Sequence, residues 1–257
     1  MILNEKNGLS FFRFPNLAEF PEIQHGIFTR GGGYSEGPYR SLNTSFGVGD
    51  DPHKVQRNRS IISNCLDHSE LVFIRQVHGN KTLLCTRKDG VDPDNSSARL
   101  LAGDALLTDL RDKRLVVQVA DCQSVLLYEP FRKAVANIHC GWRGSIKNVI
   151  GHAVKAMATK MGCLPRHIIA GIGPSLGPCC AEFINYKKEI PEKFWKYKDD
   201  SDFFDFWSVS VDQLVEAGLL NKNIYLCRMC TKCNTELFFS YRGEGTTGRF
   251  AAVIGLK

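Results

Sequence analysis

The sequence lacks the features that mark membrane, secreted and nucleic-acid-binding proteins. It has no run of about 18 apolar residues that could span a bilayer, and its first residues lack the apolar core of a signal peptide. It also has no block of like charge and no basic stretch interleaved with aromatic residues. We therefore expect a cytoplasmic protein that has neither a membrane nor a nucleic acid as its partner.

Internal repeats, low-complexity linkers and sharp changes of composition are also missing, which favours a single domain over residues 1–257. A chain of 257 residues can bury an ample core, and its hydrophobic content of 43% is ordinary for a globular protein. The net charge of +6 fits a basic pocket for an anionic substrate, although surface lysines alone would produce it. In a reducing cytoplasm the ten cysteines are thiols or metal ligands before they are disulfides.

Two histidines and one cysteine stand in short segments rich in glycine and polar residues. They are His78 in Arg-Gln-Val-His-Gly, Cys122 in Ala-Asp-Cys-Gln-Ser, and His139 in Asn-Ile-His-Cys-Gly-Trp-Arg-Gly. Two imidazoles and one thiolate form a three-ligand set for zinc. Catalytic zinc sites usually have three protein ligands and leave the fourth position open, whereas structural sites close all four. The set therefore predicts an enzyme.

A predicted β-hairpin supports one pair of these ligands. Two apolar runs flank the segment Glu-Pro-Phe-Arg, residues 129–132, which has the composition of a type I turn. If the turn is centred on its two middle residues, Cys122 lies directly opposite His139, close enough to share a metal. A shift of one residue would pair Cys122 with Cys140, so the prediction depends on the register. The alternative is a small buried cysteine beside a hydrogen-bonded histidine at a strand end.

Apolar spacing and capping residues predict the main helices and strands. Asp51-Pro52 is typical of an N-cap followed by proline, and would open a helix that runs to Leu66. A second helix is predicted over residues 145–161, where apolar residues recur at helical spacing. The other predicted elements are a helix at 211–219 and strands at 71–77, 115–120, 124–128, 133–139, 168–172 and 250–256. Hairpins mixed with helices indicate a mixed sheet covered by helices, not a doubly wound parallel sheet.

A glycine-rich turn links the predicted strand that ends at His139 to the predicted second helix. Its residues, Gly-Trp-Arg-Gly at 141–144, would present backbone N–H groups and the positive end of a helix dipole to phosphate. Arg143 would add a forked donor matched to phosphate oxygens. The alternative is a turn that is rich in glycine for steric reasons only. Two further loops, around Arg30 and around Arg242, would each bring an arginine to an anion or would be solvated turns.

The spacing Cys227-x-x-Cys230-x-x-Cys233 suggests a second metal site. However, zinc ribbons need two such pairs, no matching Cys-x-x-Cys occurs elsewhere, and the vicinal pair Cys179-Cys180 has the wrong spacing. We therefore expect these thiols to be packing residues, with a structural or redox role as the alternative.

Motifs along the chain closely resemble those of the YfiH-like laccase-domain family. The resemblance runs from about residue 25 to the C-terminus, with the motifs in the same order throughout, and is therefore highly specific. The motifs are Thr29-Arg30 with Gly32-Gly33 and Ser35, Ser41-Leu42-Asn43, Gln76-Val77-His78-Gly79, Gly103-Asp104-Ala105, Ala120-Asp121-Cys122, His139-Cys140-Gly141-Trp142-Arg143, Gly173-Pro174 with Cys179-Cys180, and Phe239-Ser240-Tyr241-Arg242 with Thr247-Gly248-Arg249.

The resemblance implies a mixed α/β fold of the α+β type, with four layers in the order α/β/β/α and mixed β-sheets, similar to the fold of the cytotoxic necrotizing factors. It also implies a purine nucleoside phosphorylase that cleaves adenosine, inosine and S-methyl-5'-thioadenosine with phosphate and deaminates adenosine. Purine nucleosides and phosphate are thus the implied partners. Zinc is the implied cofactor, and copper is the alternative because the family is also described as copper polyphenol oxidases.

The resemblance and the motifs together predict one site. The family's zinc ligands fall on His78, Cys122 and His139, which we expect to act in catalysis together with Arg143. Substrate-binding residues are expected at Arg30, Asn43, Arg75, Gly141 and Arg242. The available carboxylates are Asp104 and Asp121, and Asp121 is the candidate for orienting a ligand. Gly243 follows Arg242 where the family commonly has a second arginine, so this chain would hold phosphate with fewer contacts.

Three other functions compete with this prediction. A multicopper oxidase needs a blue copper and a trinuclear cluster held by His-x-His pairs, and this chain has seven histidines and no His-x-His. A single blue copper on a His₂Cys set stays open. A cysteine hydrolase or deamidase could use Cys122 and His139 as nucleophile and base without metal. His78 distinguishes a three-ligand metal site from a metal-free dyad of Cys122 and His139, because the dyad does not need a second histidine. A metal-sensing or scaffolding protein would bind metal without turnover.

Overall fold

The computed structural model describes residues 1–86 and 101–257, and in these residues the strands form two six-stranded mixed sheets. Sheet 1 has the order β1-β2-β3-β12-β7-β4, and sheet 2 the order β11-β10-β8-β9-β6-β5. The strands are β1 Ile2–Lys6, β2 Leu9–Arg13, β3 Ile23–Phe28, β4 Glu70–Val72, β5 Thr82–Leu84, β6 Ala105–Thr108, β7 Lys113–Val119, β8 Gln123–Glu129, β9 Ala134–Cys140, β10 Ile169–Ile172, β11 Ile224–Leu226 and β12 Phe250–Leu256. Neighbouring strands are antiparallel except for the pairs β4–β7, β5–β6 and β10–β11.

Helices connect the strands and cover the outer faces of the sheets. The α-helices are α1 Pro15–Ala18, α2 Pro52–Cys65, α3 Trp142–Ile146, α4 Val149–Met161, α5 Tyr186–Glu189, α6 Phe206–Glu216 and α7 Tyr241–Glu244. Short 3₁₀ helices span Gly37–Tyr39, Phe46–Val48, Pro165–His167, Glu192–Tyr197, Asn221–Asn223 and Lys232–Asn234. No helix in the described part of the chain is long and apolar enough to cross a membrane.

The two sheets pack face to face, and alternate side chains of each strand enter different layers. On β12, Ala252 and Ile254 point into the core between the sheets, whereas Ala251 and Val253 pack under α2. On β8, Leu126 points between the sheets, and its neighbours on either side pack under α4. Because both faces of these strands are buried, their sequences are continuously apolar. The layers are therefore α2, sheet 1, sheet 2, and α4 with α6, which confirms the predicted four-layer α/β/β/α fold.

The predicted helix after Asp51 is confirmed as α2, with the Asp51 side chain accepting a hydrogen bond from the His53 N–H. Three predicted elements are wrong in extent, and one of them is the helix predicted at 211–219, which is α6, Phe206–Glu216. The strand predicted at 71–77 ends at Val72, and beyond it the side-chain amide of Gln76, instead of backbone, pairs with the backbone of Gln118. The helix predicted at 145–161 is divided into α3 and α4 by Asn148, whose backbone is left-handed and whose side chain caps α4.

The predicted hairpin register is also wrong, by two residues. The ladder pairs Ser124 with His139, and one step beyond its end Cys122 faces Gly141. The loop is two residues longer than the predicted turn, because Glu129 pairs with Ala134 instead of Arg132, and Lys133 adopts a left-handed conformation (φ 51°) that closes the connection. Since side chains alternate with a period of two, this shift keeps Cys122 and His139 on the same face, as diagonal neighbours instead of direct partners.

Candidate metal and anion site

His78, Cys122 and His139 meet at one end of sheet 2, and their ligand atoms all lie within 4.8 Å of one another. His139 is the penultimate residue of β9, and Cys122 comes directly before β8. His78 lies in the segment between β4 and β5 and has a left-handed backbone (φ 55°). Its Nε2 atom is 3.9 Å from the Sγ atom of Cys122. The structure thus brings together the three predicted ligands from three separate segments.

Asp104 positions two of the three ligands. Its carboxylate is completely buried, and Oδ1 accepts a hydrogen bond from Nδ1 of His139 at 2.9 Å. The same carboxylate accepts hydrogen bonds from the backbone N–H groups of His78 (2.9 Å) and Gly79 (2.7 Å). Because Nδ1 of His139 is occupied, its Nε2 is the atom left to bind a metal. The orienting carboxylate is therefore Asp104, and the prediction that Asp121 has this role is wrong.

The site favours a thiolate beside a protonated imidazole. Burial alone would raise the pKa of the Cys122 thiol, but the charge and hydrogen bonds of His139, followed by those of His78, lower it to about 6. Burial would lower the pKa of His139, but the Cys122 thiolate and the hydrogen bond with Asp104 raise it to about 9. The thiolate is the form that binds metal, so a cation entering this site replaces the proton between these groups.

The residues present fit a zinc ion. Tetrahedral zinc with the usual bond lengths places a sulfur and a nitrogen ligand about 3.6 Å apart, close to the 3.9 Å found between Cys122 and His78. Gly141 lies directly beside the ligands, and a Cβ atom there would be 2.8 Å from Sγ of Cys122 and 3.1 Å from the ring of His78. Glycine at this position therefore lets the backbone pass in contact with Cys122 and His78, where any side chain would displace them.

The three ligands line a cavity of about 760 Å³ that is both basic and aromatic. This volume is within the range of small-molecule sites. Trp142, Phe183 and Phe206 form one wall, with the ring of Phe183 5.7 Å from that of Trp142 and 5.5 Å from that of Phe206. The arginines that line the cavity are Arg59, Arg75, Arg143, Arg242 and Arg249. The cavity therefore offers flat apolar surface to a ring and several cations to an anion.

Arg143 is exposed, and its guanidinium lies over the ring of Trp142 at 4.0 Å from the ring centroid. This stacking holds the guanidinium at the cavity wall. The helix that follows Gly141 differs from the prediction, because α3 has five residues and ends before Asn148. A helix this short has a weak dipole. Anion binding at this edge therefore depends on the arginine side chains more than on the helix.

Asp121 organises the opposite edge of the cavity. Its Oδ1 accepts hydrogen bonds from the hydroxyls of Thr231 (2.6 Å) and Ser240 (2.7 Å), and its Oδ2 accepts one from the backbone N–H of Arg242 (2.5 Å). The Arg242 guanidinium also donates to the backbone carbonyl of Glu182 at 3.0 Å. Asp121 is thus committed to holding the loop that presents Arg242.

Of the predicted substrate-binding residues, Arg75, Gly141 and Arg242 line the cavity, whereas Arg30 and Asn43 do not. Arg30 is paired with Glu244 of α7 at 2.8 Å and lies over the ring of Phe239. Asn43 is completely buried, and its Oδ1 accepts a hydrogen bond from the Arg249 N–H. Their polar groups support the loops behind the cavity instead of lining it.

Sequence reasoning missed two cationic residues at the cavity. Arg249 comes directly before β12, and Phe250 pairs with Val119, so the strand order brings Arg249 beside the segment that carries Cys122. Arg59 is in α2, and burial lowers its pKa to about 9. A Thr-Gly-Arg motif before an apolar strand was a usable signal for Arg249. A single arginine in an amphipathic helix gave no signal for Arg59.

Comparison with known proteins agrees with this architecture. The profile of the multi-copper polyphenol oxidoreductase laccase family matches residues 24–257. The purine nucleoside phosphorylase YlmD of Geobacillus stearothermophilus is 33% identical over 245 residues, which cover 90% of this chain and 89% of that protein. The purine nucleoside phosphorylase YfiH of Shigella flexneri is 32% identical over 237 residues, which cover 89% and 91%. The crystal structure of the hypothetical protein YfiH of Bacillus licheniformis has a TM-score of 0.89 at 29% identity and covers 99% of both chains. The predicted resemblance is confirmed, and the chain belongs to the multi-copper polyphenol oxidoreductase laccase family, several of whose members are named purine nucleoside phosphorylases.

Proposed function

We propose that this protein is a zinc-dependent purine nucleoside phosphorylase that cleaves adenosine, inosine and S-methyl-5'-thioadenosine with phosphate and also deaminates adenosine. One observation carries the proposal: the His78, Cys122 and His139 set lies in a cavity that combines an aromatic wall with arginines. The names of the curated relatives support the purine nucleoside phosphorylase part of this proposal.

The chain's own residues would bind both reactants, with an aromatic wall for the purine and arginines bordering that wall for the phosphate. The purine ring would stack against the wall of Trp142 and Phe183. Arg143 and Arg242, on opposite edges, would hold phosphate so that one of its oxygens faces the ribose. The proposed reaction breaks the bond between the sugar and the base while a phosphate oxygen forms a bond with the same carbon. Holding both reactants in one orientation supplies much of the rate.

His78, Cys122 and His139 would hold the zinc, and Asp104 would keep Nε2 of His139 directed at it. Zinc, when bound there, supplies a Lewis acid next to the substrate. In deamination of adenosine, water would take the place of phosphate, so the arginines would matter less. The family name refers to several coppers, but within residues 1–86 and 101–257 only two groups of side chains could hold a metal, and neither suits a trinuclear cluster.

The test is a nucleoside panel assayed with and without phosphate. We expect release of free base from adenosine, inosine and S-methyl-5'-thioadenosine only when phosphate is present, with ribose 1-phosphate or its methylthio analogue as the second product. Adenosine should also release ammonia without phosphate. A chelator should abolish both reactions, and added zinc should restore them. Base release that does not need phosphate would contradict a phosphorylase, and oxygen uptake with a phenol would favour the polyphenol oxidase.

A metal-free cysteine hydrolase is the second candidate, because Cys122, His139 and Asp104 are arranged as nucleophile, base and orienting carboxylate. His78 argues against it, since its Nε2 also faces Cys122, and a dyad does not need a second imidazole. The two functions differ in their response to metal. A hydrolase would keep its activity in a chelator and lose it to a thiol-alkylating reagent, whereas the phosphorylase would lose its activity in the chelator.

A further inference from the structure

Four cysteines from two loops meet outside the catalytic cavity. Cys179 and Cys180 lie between β10 and α5, and Cys230 and Cys233 lie between β11 and α7. Their Sγ atoms all lie within 4.8 Å of one another. We call this group the four-cysteine cluster. The expectation that Cys230 and Cys233 have no partner pair is wrong, because the fold brings a vicinal pair from a segment about fifty residues earlier to face them.

The sulfur positions match a tetrahedral metal site. The Sγ atom of Cys233 is 3.7 Å from that of Cys179 and 3.6 Å from that of Cys180. A zinc ion with four thiolates at the usual bond length of 2.3 Å places the sulfurs about 3.8 Å apart. Disulfide bonding would bring two of them to about 2.05 Å, and all four are free cysteines. Four sulfur ligands with this spacing are the donor set of a structural zinc site.

We propose that the four-cysteine cluster binds one zinc ion as a closed structural site, separate from the site at Cys122. The proposal does not depend on the proposed function, because none of the four cysteines lines the catalytic cavity. A closed set of four thiolates leaves no position for water or substrate, so this zinc ion would hold two loops together and take no part in the reaction.

The surrounding backbone is built to hold the cluster. Ser175 pairs with Cys230 in an isolated parallel bridge, and the Thr231 N–H donates to the Ser175 carbonyl at 3.0 Å. The Gly177 N–H donates to Sγ of Cys230 at 3.4 Å, which stabilises a thiolate. Gly177 must be glycine for this approach, because a Cβ there would be 2.8 Å from the ring of Trp207. Backbone hydrogen bonds thus hold both loops in the position that brings the four sulfur atoms together.

The cluster also borders the wall that carries Arg242. The Arg242 guanidinium donates to the Cys180 carbonyl at 3.3 Å and to the Glu182 carbonyl at 3.0 Å. On the other loop, Thr231, which lies between Cys230 and Cys233, donates to Asp121. A zinc ion that joins the two loops would therefore fix the position of Arg242 from both sides. Loss of this ion should loosen the cavity wall without removing the catalytic metal.

Metal content of the full-length protein tests the proposal. In a His78→Ala, His139→Ala background, which removes the first site, we expect one zinc ion per chain after purification under reductant. Adding Cys179→Ser and Cys233→Ser, the two exposed members, should bring zinc to none. Cys227→Ser is the matched control, because Cys227 belongs to the same Cys-x-x-Cys-x-x-Cys motif but lies outside the cluster, and it should keep the ion. No zinc in the background protein, or iron in its place, would overturn the assignment.

Two measurements on the unaltered chain keep the proposal testable if the serine variant does not fold. Cobalt(II) added to metal-free protein should give the intense thiolate charge-transfer bands and visible bands of a tetrahedral four-thiolate site. Cys179 and Cys233 are exposed, so an alkylating reagent should modify them slowly in the zinc-loaded protein and at least tenfold faster after a chelator removes the ion. Equal alkylation rates with and without metal would contradict the proposal. A disulfide between cluster members in protein purified under reductant would also contradict it.

Discussion

Asp104 and His139 form a completely buried pair in which Oδ1 of the carboxylate accepts a hydrogen bond from Nδ1 of the imidazole at 2.9 Å. The same two residues are also linked through the backbone, because the His139 N–H donates to the Asp104 carbonyl at 2.7 Å. The pair therefore fixes both the position and the ring orientation of one ligand. Since Asp104 also accepts from the backbone of His78, a single carboxylate couples the geometry of two of the proposed metal ligands.

Asp104→Asn should weaken the metal site while keeping its shape. In the unaltered protein the Gly79 N–H donates to Oδ2 of Asp104, and in the variant an amide nitrogen would face this N–H instead. The negative charge that supports His139 would also be lost. We expect about a 10–100-fold loss of zinc affinity, with a similar loss of activity at limiting zinc. Competitive chelator titration measures the affinity, and exposed Asp109→Asn is the control. Unchanged affinity would mean that Asp104 only supports the fold.

Replacing any one of His78, Cys122 or His139 by alanine should lower zinc content at this site and abolish nucleoside cleavage together, because two ligands hold the ion poorly. The fold should persist, since a chain this size does not depend on this metal for its core. Metal analysis measures the zinc content, circular dichroism the fold, and the phosphorolysis assay the nucleoside cleavage. Exposed His53→Ala is the control. Full zinc occupancy and activity in His78→Ala would contradict the three-ligand site and favour the cysteine dyad.

Arg143→Lys should weaken the binding of phosphate more than the binding of nucleoside. Lysine keeps the charge but loses the forked donor and the flat surface that stacks on Trp142. We expect KM for phosphate to rise about tenfold, with kcat much less affected and deamination nearly unchanged. Steady-state kinetics with phosphate varied at saturating inosine provide the measurement, and Arg132→Lys in the β8–β9 loop is the control. Equal loss of phosphorolysis and deamination would show that Arg143 holds the nucleoside or the local fold.

His25 should make the protein less stable in acid. Burial and, secondarily, the charge of Arg13 lower the pKa of His25 to about 3, so it stays neutral in the folded state. Between pH 6.5, the ordinary histidine value, and pH 3, unfolding takes up one proton at this residue. Its contribution to the free energy of unfolding therefore falls by about 1.4 kcal/mol per pH unit as the pH drops through this window.

The effect of His25 is expected in the slope of the unfolding free energy against pH, not in the unfolding free energy at a single pH. His25→Gln should make the slope of the unfolding free energy between pH 6 and pH 4 shallower by about one proton. Urea titrations at several pH values measure this slope. Exposed His53→Gln should leave the slope unchanged. A His25→Gln slope equal to that of the unaltered chain would show that His25 is protonated in the folded state.

The sequence predicted well those features that depend on local pattern. The Asp51-Pro52 cap, the apolar runs of β8 and β12, and the chemistry of the His78, Cys122 and His139 set all come from neighbouring residues or from residue type. The ligands were found despite the wrong register, because an error of two residues preserves the face of the sheet on which each side chain lies.

The features that escaped prediction depend on contacts between distant segments. Arg249 reaches the cavity only because β12 inserts beside β7, and the Thr-Gly-Arg motif before β12 indicates the arginine but not this arrangement. Cys179 and Cys233 meet because β10 and β11 are parallel neighbours whose following loops leave the sheet at the same edge. The spacing rule for zinc ribbons requires two Cys-x-x-Cys pairs, so it did not match a vicinal pair that faces a single Cys-x-x-Cys.

The position of β12 also joins the two parts of sheet 1. β12 pairs with β3 on one side and with β7 on the other, so β1, β2 and β3 are connected to β7 and β4 only through this strand. Without β12, one edge of β7 would offer unpaired backbone N–H and C=O groups to other chains. Since Arg249 comes directly before β12, insertion of this strand also brings an arginine to the cavity. One strand thus couples the completion of the sheet to the assembly of the proposed site.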